Sequence, residues 1–253
     1  MTKRYLLTTL VTSACLLWIT ACSDSESSGP QGLELYADSD WYEITSLELV
    51  DPLTDESAIN TAISAAFNGL SGLMIGRHTS ADAVDPTQAD TLVVFAGVCD
   101  SNGCRNDQKP ENSFIVAPLT SEATDSCAPD TTDLDSSATL NDPMGPCFSA
   151  TPGASSSSLD VNLVEGATFK LQAPTIAGSD PASDGSISDG VMSGFVSKTD
   201  LDAITDAIEA QLSVTLPDPI FPDDTKDMRD GEEGWTMFFN FEAEARATVD
   251  IEN

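Results

Sequence analysis

Positive charge is scarce in this chain. Among 253 residues there are 10 Lys and Arg against 42 Asp and Glu, with a single His. The shortage excludes nucleic acid as a partner, because phosphate binding needs clustered basic residues and these are scattered. It tells equally against direct adhesion to anionic lipid heads unless divalent cations bridge. The only histidine, His78, would have to serve any Ser-His-Asp arrangement. No Gly-x-Ser-x-Gly elbow accompanies it, so His78 reads as an ordinary loop residue. There is no Cys-x-x-Cys, which weakens a redox role. After residue 21 no apolar run approaches the length of a membrane-spanning helix.

What is present bounds the class. The 40% hydrophobic content is too high for a wholly disordered acidic chain, which could not offset its ordering entropy. The length fits one domain or two small ones and supports a substantial core. Asp outnumbers Glu by 28 to 14, and net charge is −32. Such an excess speaks to a solvated, soluble surface more than to a site.

The first 22 residues carry the strongest signal. Lys3 and Arg4 precede a mostly apolar run, Tyr5 to Thr20, which ends in Ile19-Thr20-Ala21-Cys22. Short length and the absence of a stop-transfer charge mark a signal peptide rather than a span. The last four residues resemble the lipobox of bacterial lipoproteins. That resemblance implies a diacylglyceryl thioether on Cys22, cleavage before it, and acylation of the new amine. Two or three chains anchor stably where one would not. By analogy with enteric sorting, Ser23 directs the protein to the outer membrane. Residues 23–32 have no apolar side chain large enough to pack and read as a flexible tether. The expected organisation is a signal peptide over 1–21, lipidated Cys22 and tether over 22–32, and one domain over 33–253. Removing Lys3 and Arg4 leaves 42 acids against 8 bases, a net −34. The whole pattern also resembles acidic lipoproteins of myxobacteria and related bacteria, which implies no activity.

Four cysteines remain once Cys15 leaves and Cys22 is lipidated. An even count in an exported chain suggests disulfides. The favoured pairs are Cys99–Cys104, with Asn102-Gly103 as a tight turn, and Cys127–Cys147, stapling a polar loop. A zinc site is the weaker alternative, since Cys-x4-Cys with one His is poor spacing.

Residues 33–50 alternate as a strand and change phase between Ile44 and Leu47, as a bulge would cause. Residues 55–69 read as a helix with Ile59, Ala62, Ile63, Ala66 and Phe67 on one stripe. Leu73–Ile75 and Thr91–Val98 are strands, and Ser113–Leu119 pairs back onto the second. Residues 120–158 form a long polar loop. Leu159–Leu163 and Ala167–Ala173 alternate about Glu165-Gly166, a hairpin pattern. Ile187–Val196 is a strand with a turn or bulge at Asp189-Gly190. A second helix follows, capped by Thr199 with Asp202, its face lined by Leu201, Ile204, Ile208 and Leu212. Pro217, Pro219 and Pro222 then force extension. From Trp235 to Ile251 every odd position is apolar, a long strand expected to bend near Glu242–Arg246 or to serve two sheets. Its shift from aromatics to alanines predicts close approach of a helix or second sheet. The expected fold is β-rich α+β: an antiparallel β-sandwich or half-barrel with two amphipathic helices.

The most suggestive polar cluster is Asp224, Asp227, Asp230 and Glu232 around Gly231 and Gly234. Calcium wants hard oxygens on a glycine-turned loop, and this loop offers them. The spacing is not that of an EF-hand, and Lys226 and Arg229 are interleaved. A weaker candidate is Asp180, Asp184 and Asp189, more simply read as turns. Trp41, Tyr42 and Trp235 suit core packing better than a sugar platform. The expected function is a membrane-anchored envelope lipoprotein, a non-enzymatic binding or interaction module whose partner, protein or glycan, is open. Calcium-assisted binding, carriage of an apolar ligand and a carboxylate-based hydrolase are the alternatives.

Overall fold

The computed structural model describes residues 39–52, 72–78, 90–100, 103–105, 114–132, 134, 138–151, 158–164, 167–182, 185–212, 215, 221, 225–247 and 249–250. The strands are β1 (Asp40–Asp51), β2 (Gly72–His78), β3 (Thr91–Asp100), β4 (Gly103–Arg105), β5 (Phe114–Glu122), β6 (Cys147–Ala150), β7 (Ser158–Val164), β8 (Ala167–Ser179) and β9 (Ser186–Ser197). The helix α1 (Lys198–Leu212) follows, then β10 (Asp227–Arg229), β11 (Glu232–Arg246) and β12 (Val249–Asp250).

Eight strands close into an antiparallel barrel. β1 pairs with β2, β2 with β3, β3 with β5 and β5 with β6. β6 pairs with β8, β8 with β9, β9 with β11, and β11 returns to β1. Ring order follows chain order, so this is an up-and-down meander closed by its first and last strands. The expected α+β sandwich or half-barrel with two helices is therefore wrong. The sheet closes on itself, and α1 is the one helix among the described residues. The helix expected over 55–69 lies outside the described residues. Sandwich and barrel strands share the same alternation, and closure rests on pairing Trp41 with Arg246, which no local pattern encodes.

Alternation sorts side chains to two faces. Tyr42, Ile44, Leu73, Ile75, Leu92, Val94, Phe148, Trp235, Met237, Phe239 and Phe241 join one buried interior cluster. Burying an aromatic of this kind is worth roughly 1.5–3 kcal/mol. α1 adds Leu201 and Ile204 to the cluster where β9 ends and β11 begins. Its cap is Ser197, not Thr199. The Asp200 amide donates to Ser197 Oγ at 3.2 Å, and that hydroxyl donates to the Asp200 carboxylate at 2.8 Å.

Expected irregularities occur where alternation breaks. β1 shifts register between Ile44 and Ser46. β9 carries an extra residue against β11 between Ile187 and Gly190. β7 and β8 form the expected hairpin, with Val164 opposite Ala167. β6 and β7 both pair with β8, in line, so together they fill one barrel position interrupted by residues 151–157. At the handover β8 shifts register, with Ala173 in the left-handed region (φ 45°) and Pro174 after it. A proline is tolerated there because the neighbouring ladder is already broken.

The expected loop over 120–158 is shorter. β5 continues to Glu122, and β6 returns at Cys147. Between them a strap crosses the outside of β9 and β11. The Asn141 amide donates to Asn240 Oδ1 (2.8 Å), Asn240 Nδ2 to the Thr139 carbonyl (3.1 Å), and Asn141 Nδ2 to the Gly190 carbonyl (3.3 Å). Cys127–Cys147 fastens the strap. Within it, Thr132 donates through amide and hydroxyl to Asp130, and these bonds lower the Asp130 pKa.

A second layer covers the outer face of β1, β2 and β3. β3 runs beyond the barrel, pairs with β4, and β4 pairs in parallel with β12. Beneath lie Trp41, Met74, Val93 and Phe95. The long C-terminal alternation thus serves two sheets, as β11 and β12. Among its alanines, Ala245 meets the residue just before β9: its amide donates to the Gly185 carbonyl at 2.9 Å.

Candidate functional site

The end of the barrel opposite α1 gathers its polar groups around Arg77. Leu73 and Ile75 point inward on β2, so alternation turns Arg77 inward too, at the strand's last turn of the pleat. Its guanidinium donates to Asp180 at 2.8 Å and lies 4.8 Å from the centre of the Phe148 ring. The Arg77 side chain is 14% exposed, and its Nε is buried with no hydrogen-bond partner among the described residues. Tyr42 stands beside it on β1. Burial first, and Asp40 second, raise the Tyr42 pKa, while the charge and hydrogen bond of Arg77 oppose the rise.

The arrangement is suited to holding an anionic group. A guanidinium cannot act as a base, and a tyrosine with a raised pKa stays neutral near pH 7. The stacked, partly satisfied guanidinium offers planar recognition of a carboxylate or phosphate oxygen. Asp180 now occupies that place.

No family model, no curated protein and no solved structure matches the chain. Its residues must therefore speak for themselves.

The proposed calcium residues fall on a hairpin, not an open loop. Asp227 is in β10, and its carboxylate accepts the Thr236 amide at 2.9 Å. Asp230 and Gly231 both have positive φ (51° and 88°) and join Arg229 to Glu232. That is the conformation an Asp-Gly hairpin turn requires. The carboxylates of Asp227, Asp230 and Glu232 are not gathered within ligand reach of one another, and Asp224 lies outside the described residues. The second acidic candidate is also spent locally. Asp180 holds Arg77, and Asp189 accepts from the Ser179 amide (3.1 Å) and hydroxyl (2.5 Å). Asp184 lies outside the described residues.

Both expected cysteine pairs are disulfides, Cys99–Cys104 and Cys127–Cys147. Asp100 faces Gly103, so the tight connection is residues 101–102 rather than Asn102-Gly103. Trp41, Tyr42 and Trp235 form no platform. Tyr42 and Trp235 face the interior, while Trp41 packs outside, edge-on to Phe95 at 5.2 Å. His78 ends β2 opposite Thr91. Cys22 lies outside the described residues.

Sequence reasoning missed Arg77 and Tyr42 as partners. A signal was available: Arg77 follows Leu73 and Ile75 at the same parity, and it is among few basic residues in the chain. An inward-facing arginine at a strand end is conspicuous in so acidic a protein.

Proposed function

We propose that the protein is a lipid-anchored component of the bacterial cell envelope whose barrel acts as a non-enzymatic binding or interaction module. One observation supports the module reading most. The barrel interior is filled by its own side chains: Phe148, Leu171 and Val196 have no exposed surface, and Leu49, Phe239 and Phe241 have about 1%. Eight strands enclose just enough space for such a filling. An apolar-ligand carrier would need part of that space empty. Binding is therefore assigned to the outside of the barrel and to the rim around Arg77.

The anchor rests on the lipobox and is tested directly. Expressed in a Gram-negative host with a radiolabelled fatty acid, the chain should take up label and sediment with outer membranes. Cys22→Ala should lose the label and stay soluble. Unlabelled wild-type protein would end the anchor reading. Native mass spectrometry of the purified chain addresses the carrier. Co-purifying lipid beyond the covalent chains would displace the filled-module reading.

A further inference from the structure

We propose that Cys99, Cys104 and Met74 form a concealed site for cuprous copper, exposed when the Cys99–Cys104 disulfide is reduced. The proposal is independent of the anchor and of the module reading.

Three features of the outer layer carry it. Cys99 and Cys104 face each other across β3 and β4, so both sulfurs stay together when the bond between them opens. Met74 Sδ lies 3.6 Å from Cys99 Sγ, and Met74 has no exposed surface. Two thiolates and one thioether are then already assembled on rigid strands. The Glu43 carboxylate is a fourth neighbour, with Oε2 3.9 Å from Cys104 Sγ. With the two cysteines, Glu43 makes the one group of three candidate ligands brought together among the described residues.

The identity of the ion follows from the donors. Glu43 is engaged by Arg246, whose Nε donates to Oε2 at 2.5 Å. Arg246 thus competes with any metal for that oxygen, whereas the other three donors are all sulfur. Thiolate and thioether together select Cu(I) over harder divalent ions. Zinc would call on Glu43 to complete four ligands, and neutral thioether is a poor substitute.

The chemistry balances. A dithiol reductant passes two electrons and two protons to the Cys99–Cys104 bond and leaves as its own disulfide. The bond breaks to two thiols. Cu(I) then forms two thiolate bonds, releasing two protons to solvent, and accepts a thioether lone pair from Met74.

The test uses the full chain in detergent, reduced by a dithiol, freed of reductant without oxygen, and titrated with Cu(I) against a chromogenic chelator. The reduced chain should hold one copper more than Cys99→Ser/Cys104→Ser. The oxidised chain should lack that copper, and Cys127→Ser/Cys147→Ser should keep it. Met74→Leu should weaken retention by at least about tenfold, the smaller effect expected even of a residue outside the ligand set. Glu43→Gln, which leaves all three sulfurs, should retain it. Equal copper in the double serine variant overturns the site. So does full affinity in Met74→Leu, or loss in Glu43→Gln. Should the double serine variant not fold, the Met74→Leu and Glu43→Gln pair decides alone. X-ray absorption should find only sulfur around the metal; an oxygen or nitrogen neighbour would refute the donor set.

Discussion

Replacing Gly76 with alanine tests the outer layer at its tightest point. Gly76 sits opposite Trp41 across β1 and β2, and the indole lies flat over it. A methyl there would meet the ring at 2.5, 2.7 and 2.8 Å. Carbon atoms rest at about 3.5–4.0 Å, so the ring would have to retreat by about 1 Å. The indole is itself only 4% exposed and packs edge-on against the fully buried Phe95 at 5.2 Å between centres, so a retreat disturbs packed neighbours. Overpacking of this kind costs about 1–3 kcal/mol. In a domain of this size that lowers Tm by roughly 2–12 °C. Trp41→Ala alone removes a large buried side chain and should cost about 3–5 kcal/mol. The double variant should cost less than the two penalties added, since the new methyl enters the space the indole leaves. The coupling should be about 1–3 kcal/mol. Denaturant unfolding of all four proteins, followed by far-ultraviolet circular dichroism, gives the cycle. An unchanged midpoint for Gly76→Ala, or strict additivity, would refute the packing described for Trp41.

Three further outcomes are expected. Tyr42 is held neutral in the fold, so its contribution is complete below about pH 10, the ordinary tyrosine value, and is lost as pH rises through the higher folded value. Tyr42→Phe should flatten the alkaline fall in stability, and an unaltered fall would refute the assignment. Cys127→Ala/Cys147→Ala opens a 20-residue closure, which should cost about 3 kcal/mol and speed amide exchange in the strap. Unchanged exchange there would show that the strap holds without its staple. Gly231 has φ 88° and no neighbour near its missing methyl, so Gly231→Ala should cost roughly 1 kcal/mol through backbone strain alone. A neutral result by thermal unfolding would mean that the turn is not of the assigned type.

Local features were legible and global ones were not. The bulge after Ile44, the hairpin about Glu165-Gly166, the parity of β11 and both disulfides could be read because each is written in a few adjacent residues. Barrel closure could not, because it depends on residues about 200 positions apart. The acidic cluster carries two signals. Asp230-Gly231 is a turn signal and a calcium-loop signal at once, and only the facing of Arg229 with Glu232 separates the two. The alanines of β11 announced a close neighbour without naming it. Arg77 shares the parity of Leu73 and Ile75, but its partner Asp180 lies 103 positions away, and no local pattern names it. The Met74 sulfur hid because nothing in sequence brings it to Cys99.

The first strand of the barrel has the last as its partner, and that ordering bears on how the molecule is made. Until Phe238–Arg246 has emerged, β1 lacks one neighbour and the sheet has two raw edges. Contacts so distant along the chain are slow to form. A nascent chain therefore cannot finish folding while its tail is still in the ribosome. Such a delay keeps it threadable, which suits the export route proposed above. The same ordering makes the tail indispensable: truncation before Phe239 would strip the interior of two phenylalanines and leave the ring permanently open.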